Sequence, residues 1–201
     1  NMPSMHQKPA DKALDDIVGE LGLDQAKPAL PKNVFIADKT TQNALDDLAR
    51  VEEGFDVAKF SQNAQDAFAI VVEAFGAGDR ETLKDLVEPQ VYAAFDGALV
   101  AREKAGESMV TEIHAIRRAE IMAARQDGKK AFVTIRFVAD ETCVVKNKDG
   151  EVVSGNPDRV TEMNDIWVFA KPLKSRDPRW FVAETRDGDV KEEFNSVPET
   201  L

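Results

Sequence analysis

Few side chains in this sequence are placed to move a proton under apolar cover: Tyr92, His114, Glu141 and Asp165. General acid–base chemistry needs such a group within reach of a substrate, with a pKa displaced by burial or a neighbouring charge. His114 falls in a strand-like segment, alternating with Ile113, and reads as an ordinary surface or core histidine. Tyr92 follows a helix start and reads as a core tyrosine with its hydroxyl at the rim. No nucleophile–base pair can be drawn among the four, and no catalytic residue is assigned. Cys143 is the only cysteine. It excludes an intramolecular disulfide, has no His or acid near it that marks a nucleophile, and reads as a buried or strand cysteine.

Metal and phosphate chemistry fare no better. Two histidines and one cysteine cannot build a standard structural zinc site. The stretch Asn147-Lys-Asp-Gly150 lacks the alternating ligands and closing Glu of a calcium loop. Gly76-Ala-Gly78 lacks the Lys-Ser/Thr of a phosphate loop. No metal and no cofactor are expected. The one cationic cluster is Lys171, Lys174, Arg176 and Arg179. It reads first as a solvated hairpin tip and second as a small basic patch for lipid head groups or an acidic partner. The chain carries a net charge of −11, which disfavours nonspecific nucleic-acid binding and broad adsorption to anionic lipid.

The elements that must carry these residues change character along the chain. Residues 1–40, punctuated by Pro3, Pro9, Pro28 and Pro31, read as a flexible leader. Helical spacing follows. Ala44, Leu45, Leu48 and Val51 share one face near 41–53. From Asp56, the residues Val57, Phe60, Ala64, Phe68, Val71 and Phe75 run to a stop at Gly76 and Gly78. Asp79 caps a short helix to Val87. Pro89 opens another that presents Val91, Phe95, Ala98, Leu99 and Arg102 and closes at Gly106.

Strands come next. Met109 to Gln126 reads as one long strand with Ile113, Ala115, Arg117, Ala119 and Ile121 on one face. It is followed by an Asp127-Gly128 turn and a strand over Ala131–Ala139. A smaller hairpin turns at 146–150. The last hairpin, Val160 to Thr185, holds both tryptophans. Helices first and antiparallel strands after predict an α+β fold with helices on one face of a meandering sheet. Residues 188–201 read as an acidic C-terminal tail. No stretch reaches the ~18 apolar residues of a membrane span.

Several segments together resemble the Tim44-like domain: Ala64 to Phe75, Gly78-Asp79, Leu83, Leu86, Val91-Tyr92-Ala-Ala-Phe95, Arg102-Glu103 and Gly106-Glu107. So do Ala119-Glu-Ile121, Gly155-Asn-Pro157, Asp165-Ile-Trp-Val-Phe169 and Ser175-Arg-Asp-Pro-Arg-Trp180. The resemblance covers roughly Phe55 to Thr185, with the domain taken as residues 41–187. It implies a cone-shaped fold like that of nuclear transport factor two, with helices against a curved antiparallel sheet and an apolar pocket between. The pocket lining it suggests is Phe68, Val71, Tyr92, Phe95, Trp167 and Trp180.

The resemblance also implies a non-enzymatic, membrane-peripheral adaptor in inner-membrane protein transport or assembly, with lipid, membrane-protein or chaperone partners. The expected contact residues are Leu45, Leu48, Phe55, Val57 and Phe60. The alternative is a soluble small-ligand or lipid-binding module working through the pocket. The leading helices carry only Lys39, Arg50 and Lys59 as cations. At ~1 kcal/mol per near-surface cation, lipid binding by charge would be modest. The expected setting is a bacterial inner membrane on the cytoplasmic side, reached peripherally or through an apolar anchor ahead of Asn1.

Overall fold

A helix needs a cap as well as an apolar stripe, and here the caps decide where the helices begin. The structure is a computed structural model described for residues 28–189. Asp38 accepts the Thr41 N–H at 2.8 Å and starts α1 (Lys39–Val51), which buries Leu45 and Leu48. Asp56 accepts the Lys59 N–H at 2.9 Å and starts α2 (Val57–Ala77). Asp79 caps α3 (Arg80–Leu86), and Pro89 opens α4 (Pro89–Lys104) at a position where its missing N–H costs nothing.

Gly78 ends α2 in the left-handed region at φ 72°. Gly76, expected as part of that stop, lies inside the helix. A Cβ there would sit 3.1 Å from Thr111 Oγ1, so this glycine serves close packing on the sheet.

The sheet has six strands: β1 (Val34–Ile36), β2 (Ser108–Asp127), β3 (Lys130–Lys146), β4 (Val152–Gly155), β5 (Thr161–Pro172) and β6 (Phe181–Asp187). Its order is β1-β2-β3-β5-β6, with β4 on β3. The expected purely antiparallel meander is corrected to a mixed, open sheet, because β1 pairs parallel to β2, Val34 opposite Ala119. That strand lies within the stretch read as a leader to residue 40. Residues 1–27 and the tail beyond 189 lie outside the described residues.

β3 is paired with β2 over its whole length, and with β5 and then β4 on its other edge. Its alternation is clean: Ala131, Val133, Ile135, Phe137 and Ala139 are fully buried. β2 does not alternate cleanly. Three register shifts, between Ile113/Ala115, Ile116/Arg118 and Ile121/Ala123, change which parity faces the helices. Ala115 and Arg117, expected to share one face with Ala119 and Ile121, are therefore exposed while those two are buried, and the bulges bend the strand.

Candidate functional site

The helix-facing positions of β5 alternate as Asp165, Trp167, Phe169 and Lys171. The last of these places a lysine in the core layer, opposite the fully buried Ala131. Lys171 is 3% exposed. An ammonium there needs a partner, and Glu52, in the turn after α1, supplies it: Lys171 Nζ donates to Glu52 Oε1, and the Lys174 N–H donates to Glu52 Oε2 at 2.7 Å. Burial pushes the Glu52 carboxyl up. The Lys171 and Lys174 hydrogen bonds and their positive charge outweigh that, so it is held below the usual carboxylate range.

Above this pair lies a groove of about 560 Å³. Its floor is apolar: Phe55, Phe60, Ala64, Ala67, Leu86, Phe169 and Trp180. Phe60 stands edge-on to Trp180 at 4.9 Å between ring centroids, and Phe55 lies 5.8 Å from each of them. The rim mixes Lys59, Arg176 and Arg179 with Glu53, Asp56 and Asp85. Arg179 is held by Asp177, with Nη2 to Oδ2 at 2.8 Å. Among the described residues, Lys174 and Arg176 have no ion-pair partner. Three separated segments thus build one site: the α1–α2 turn with the first half of α2, the end of α3, and the end of β5 with the tip that follows it. No helix of the described residues is long and apolar enough to cross a membrane.

Residues 41–187 match the Tim44-like domain. The chain belongs to that family. This Tim44-like domain is 26% identical over 135 residues to the human mitochondrial import inner membrane translocase subunit TIM44, covering 67% of this chain and 30% of that protein. It is 23% identical over 148 residues to a probable translocase subunit, tin-44, of Caenorhabditis elegans, covering 73% of this chain and 35% of the relative. The chain therefore spans about a third of the curated relatives it matches. A solved structure of the intermembrane space region of chloroplast protein ARC6 aligns at TM-score 0.45 and 12% identity, over 63% of this chain and 95% of that one.

The groove gathers residues that the sequence suggested for three different purposes. Phe55 and Phe60, expected as contacts, form its floor with Trp180, expected in a pocket; Arg176 and Arg179, expected in a basic patch, form its rim. Other expectations are corrected. Leu45 and Leu48 are 2% and 1% exposed, because α1 turns its apolar stripe onto the sheet, so neither lies at the surface. Val57 is half-buried, as Phe55 is, but does not line the groove, so its contact role stays an expectation.

Phe68, Val71 and Trp167 fill the core instead of lining a space. Phe68 stacks on Phe137 at 4.4 Å and meets Trp167 at 4.8 Å. Phe95 packs on Phe75 at 5.1 Å. Tyr92 lies under Lys84 in a second, shallower depression with Glu88, Lys130 and Phe181. Lys171 leaves the basic patch for the core, and Asp177 neutralises Arg179.

Of the proton-moving candidates, the fold brings together only Glu141 and Asp165. Burial raises both carboxyls; Asp165 adds to the rise at Glu141, and Asp187 and Asp189 add to that at Asp165. Asp165 also accepts the Trp167 Nε1–H at 3.2 Å. His114 is exposed and shares a hydrogen bond with Thr142 Oγ1 at 2.9 Å. Cys143 is half-buried beside Thr111. Among the described residues, no group of three His, Cys, Asp or Glu side chains is arranged to hold a metal ion.

Glu52 is the site residue that the sequence reading missed. Two signals pointed to it. An acid at a helix C-terminus opposes the macrodipole, so one found there has a partner elsewhere. The alternation of β5 puts Lys171 on the buried face, where an acid must meet it.

Proposed function

We propose that this domain is a non-enzymatic adaptor working at a membrane surface, and that the groove over Glu52 and Lys171 is its seat for a membrane-protein partner. The observation that carries the reading is an aromatic floor of Phe55, Phe60 and Trp180 ringed by charges of both signs. That arrangement suits an amphipathic segment laying its apolar face into a groove. Membership of the Tim44-like family supports it, and relatives named as import inner membrane translocase subunits suggest protein transport or assembly. The setting we propose is a bacterial inner membrane, on its cytoplasmic side. We also take the sheet, bent at its bulges beneath the helices, as a cone of the nuclear-transport-factor-two kind.

The test is sedimentation of the chain with bacterial inner-membrane vesicles and with protein-free liposomes, for the unaltered protein and for Lys59→Glu/Arg176→Glu. Binding to native vesicles should be lost after protease shaving and weakened about tenfold by the double charge reversal. Equal binding to protein-free liposomes would instead make lipid the occupant. Failure to bind either defeats the reading.

A second reading draws on the size of the groove. About 560 Å³ falls in the range of small-molecule sites, which favours an apolar ligand such as an acyl chain. Native mass spectrometry of the purified domain should then show an added mass that Trp180→Ala removes.

A further inference from the structure

The groove has two walls that are far apart in sequence, the α1–α2 turn and the tip between β5 and β6. We infer that the Glu52 carboxylate is the pin that sets the distance between them, making the tip a movable wall hinged at Lys171–Lys174. This rests on the groove being the docking seat only for its consequence, not for its geometry.

The tip runs without ladder pairing from Leu173 to Trp180. Beyond Lys174, the Ser175 N–H reaches back to Pro172 O at 3.4 Å, closing a turn over Leu173 and Lys174, and the other hydrogen bonds are internal: the Asp177 N–H to Ser175 Oγ and the Arg179 N–H to Asp177 Oδ1. Among the described residues, its hydrogen bonds to the rest of the molecule lie at its base, and further out the Arg179 charge feels Asp85 on α3. The Leu173 N–H donates to Lys129 O at 2.7 Å, and the Lys174 N–H donates to Glu52 Oε2 at 2.7 Å. Lys174 holds φ 57°, the only positive value at a non-glycine residue among those described. A lysine persists in that region only where its surroundings hold it: the turn closed by the Ser175 N–H on Pro172 O shapes it locally, and Glu52 ties that turn to the α1–α2 wall. The same carboxylate binds Lys171 in the core layer, so one side chain ties both the strand end and Lys174 in the bend.

On the apolar side, the tip is held at its base by Leu173, packed against the core, and at its far end where Trp180 meets Phe55 and Phe60. An apolar segment entering the groove must pass those rings. With Glu52 in place the base of the tip stays fixed, and the wall yields only at Trp180. Without it, the tip keeps only the Leu173 contacts at its base, and the two walls meet only through the rings.

Trp167 is 2% exposed, so acrylamide quenching of tryptophan emission reads Trp180. In Glu52→Gln/Lys171→Met, which removes both charges and leaves an oxygen for the Lys174 N–H, quenching should be close to that of the unaltered protein. In Glu52→Ala/Lys171→Met, which also removes the acceptor, the quenching constant should rise at least about twofold at an unchanged far-ultraviolet circular dichroism spectrum. Equal quenching in both folded variants would overturn the inference.

Amide exchange of the unaltered protein needs no variant to fold. The Lys174 N–H should be protected about as strongly as that of Leu173, with Arg176 exchanging freely. Exchange of Lys174 at the Arg176 rate would also overturn the inference. Neither measurement involves a partner, so a failure here is separate from a failure of vesicle binding.

Discussion

Glu52 and Lys171 illustrate what a buried ion pair does and does not contribute. Removing two charges from water costs several kcal/mol per ion, and the pairing recovers that only with good geometry and further hydrogen bonds. Glu52 has both, through Lys171 Nζ and the Lys174 N–H. Lys171→Met alone, which strands the carboxylate, should cost about 3–5 kcal/mol in urea unfolding, whereas Glu52→Leu/Lys171→Met should cost far less. Because the folded pKa of Glu52 is lowered, its contribution is fully present above the ordinary carboxylate range and is lost as pH falls through the lowered value. Unfolding midpoints of the unaltered protein and the apolar pair should therefore converge in acid. Phe68, at 0% exposure between Phe137 and Trp167, is the opposite kind of residue. Phe68→Ala should cost about 3–5 kcal/mol by the same measurement, as for other core aromatics.

At the scale of elements, packing of α2 on β2 hinges on Gly76. Gly76→Val would press methyl groups onto the Thr111 side chain and backbone, only 3.1–3.2 Å from the first added carbon. It should destabilise by about 1–3 kcal/mol, as overpacking does. The β5–β6 pair carries a like-charge defect, with Asp165 directly opposite Asp187 and Asp189 nearby. Relieving it through Asp187→Asn should raise stability at neutral pH by about 0.5 kcal/mol. The sign with pH follows from the raised Asp165 and Glu141 carboxyls. The folded state holds those protons more tightly, so their share of stability grows as pH falls from neutral toward the ordinary carboxylate range. That gain should shrink in Asp187→Asn, as read by urea midpoints along a pH series.

How much of this was legible varies with the range of the interaction. The starts of α2, α3 and α4 could be read from Asp56, Asp79 and Pro89, because caps act within three residues. The bulges of β2 could not, since a register shift is a property of two strands, and the strict alternation assigned to Ala115 and Arg117 broke on it. β1 was missed because three residues carry no period and their partner is distant. The groove was legible only in pieces: each wall was flagged, and nothing in the sequence said that Phe60, Trp180 and Arg176 meet.

For the whole molecule, the charge of −11 sets the terms of any membrane encounter. Exposed charges act over a Debye length of about 8 Å at physiological salt. The two cations free of ion pairs on the tip can therefore act locally while the body is repelled. Binding to protein-free anionic liposomes should be weak at that ionic strength and should fall further as anionic lipid is increased, which is checked by flotation across a lipid series.

The order in which the chain is made also matters. β1 and α1 leave the ribosome before the strand they pack on, since β1 pairs with Ala119–Ile121 and the Thr41 Oγ1–H of α1 donates to Met122 O. Synthesis at about 5–20 residues per second leaves this segment waiting several seconds with Leu45 and Leu48 uncovered. During that interval it is a natural client for a chaperone, and it should be the last part of the domain to become resistant to protease.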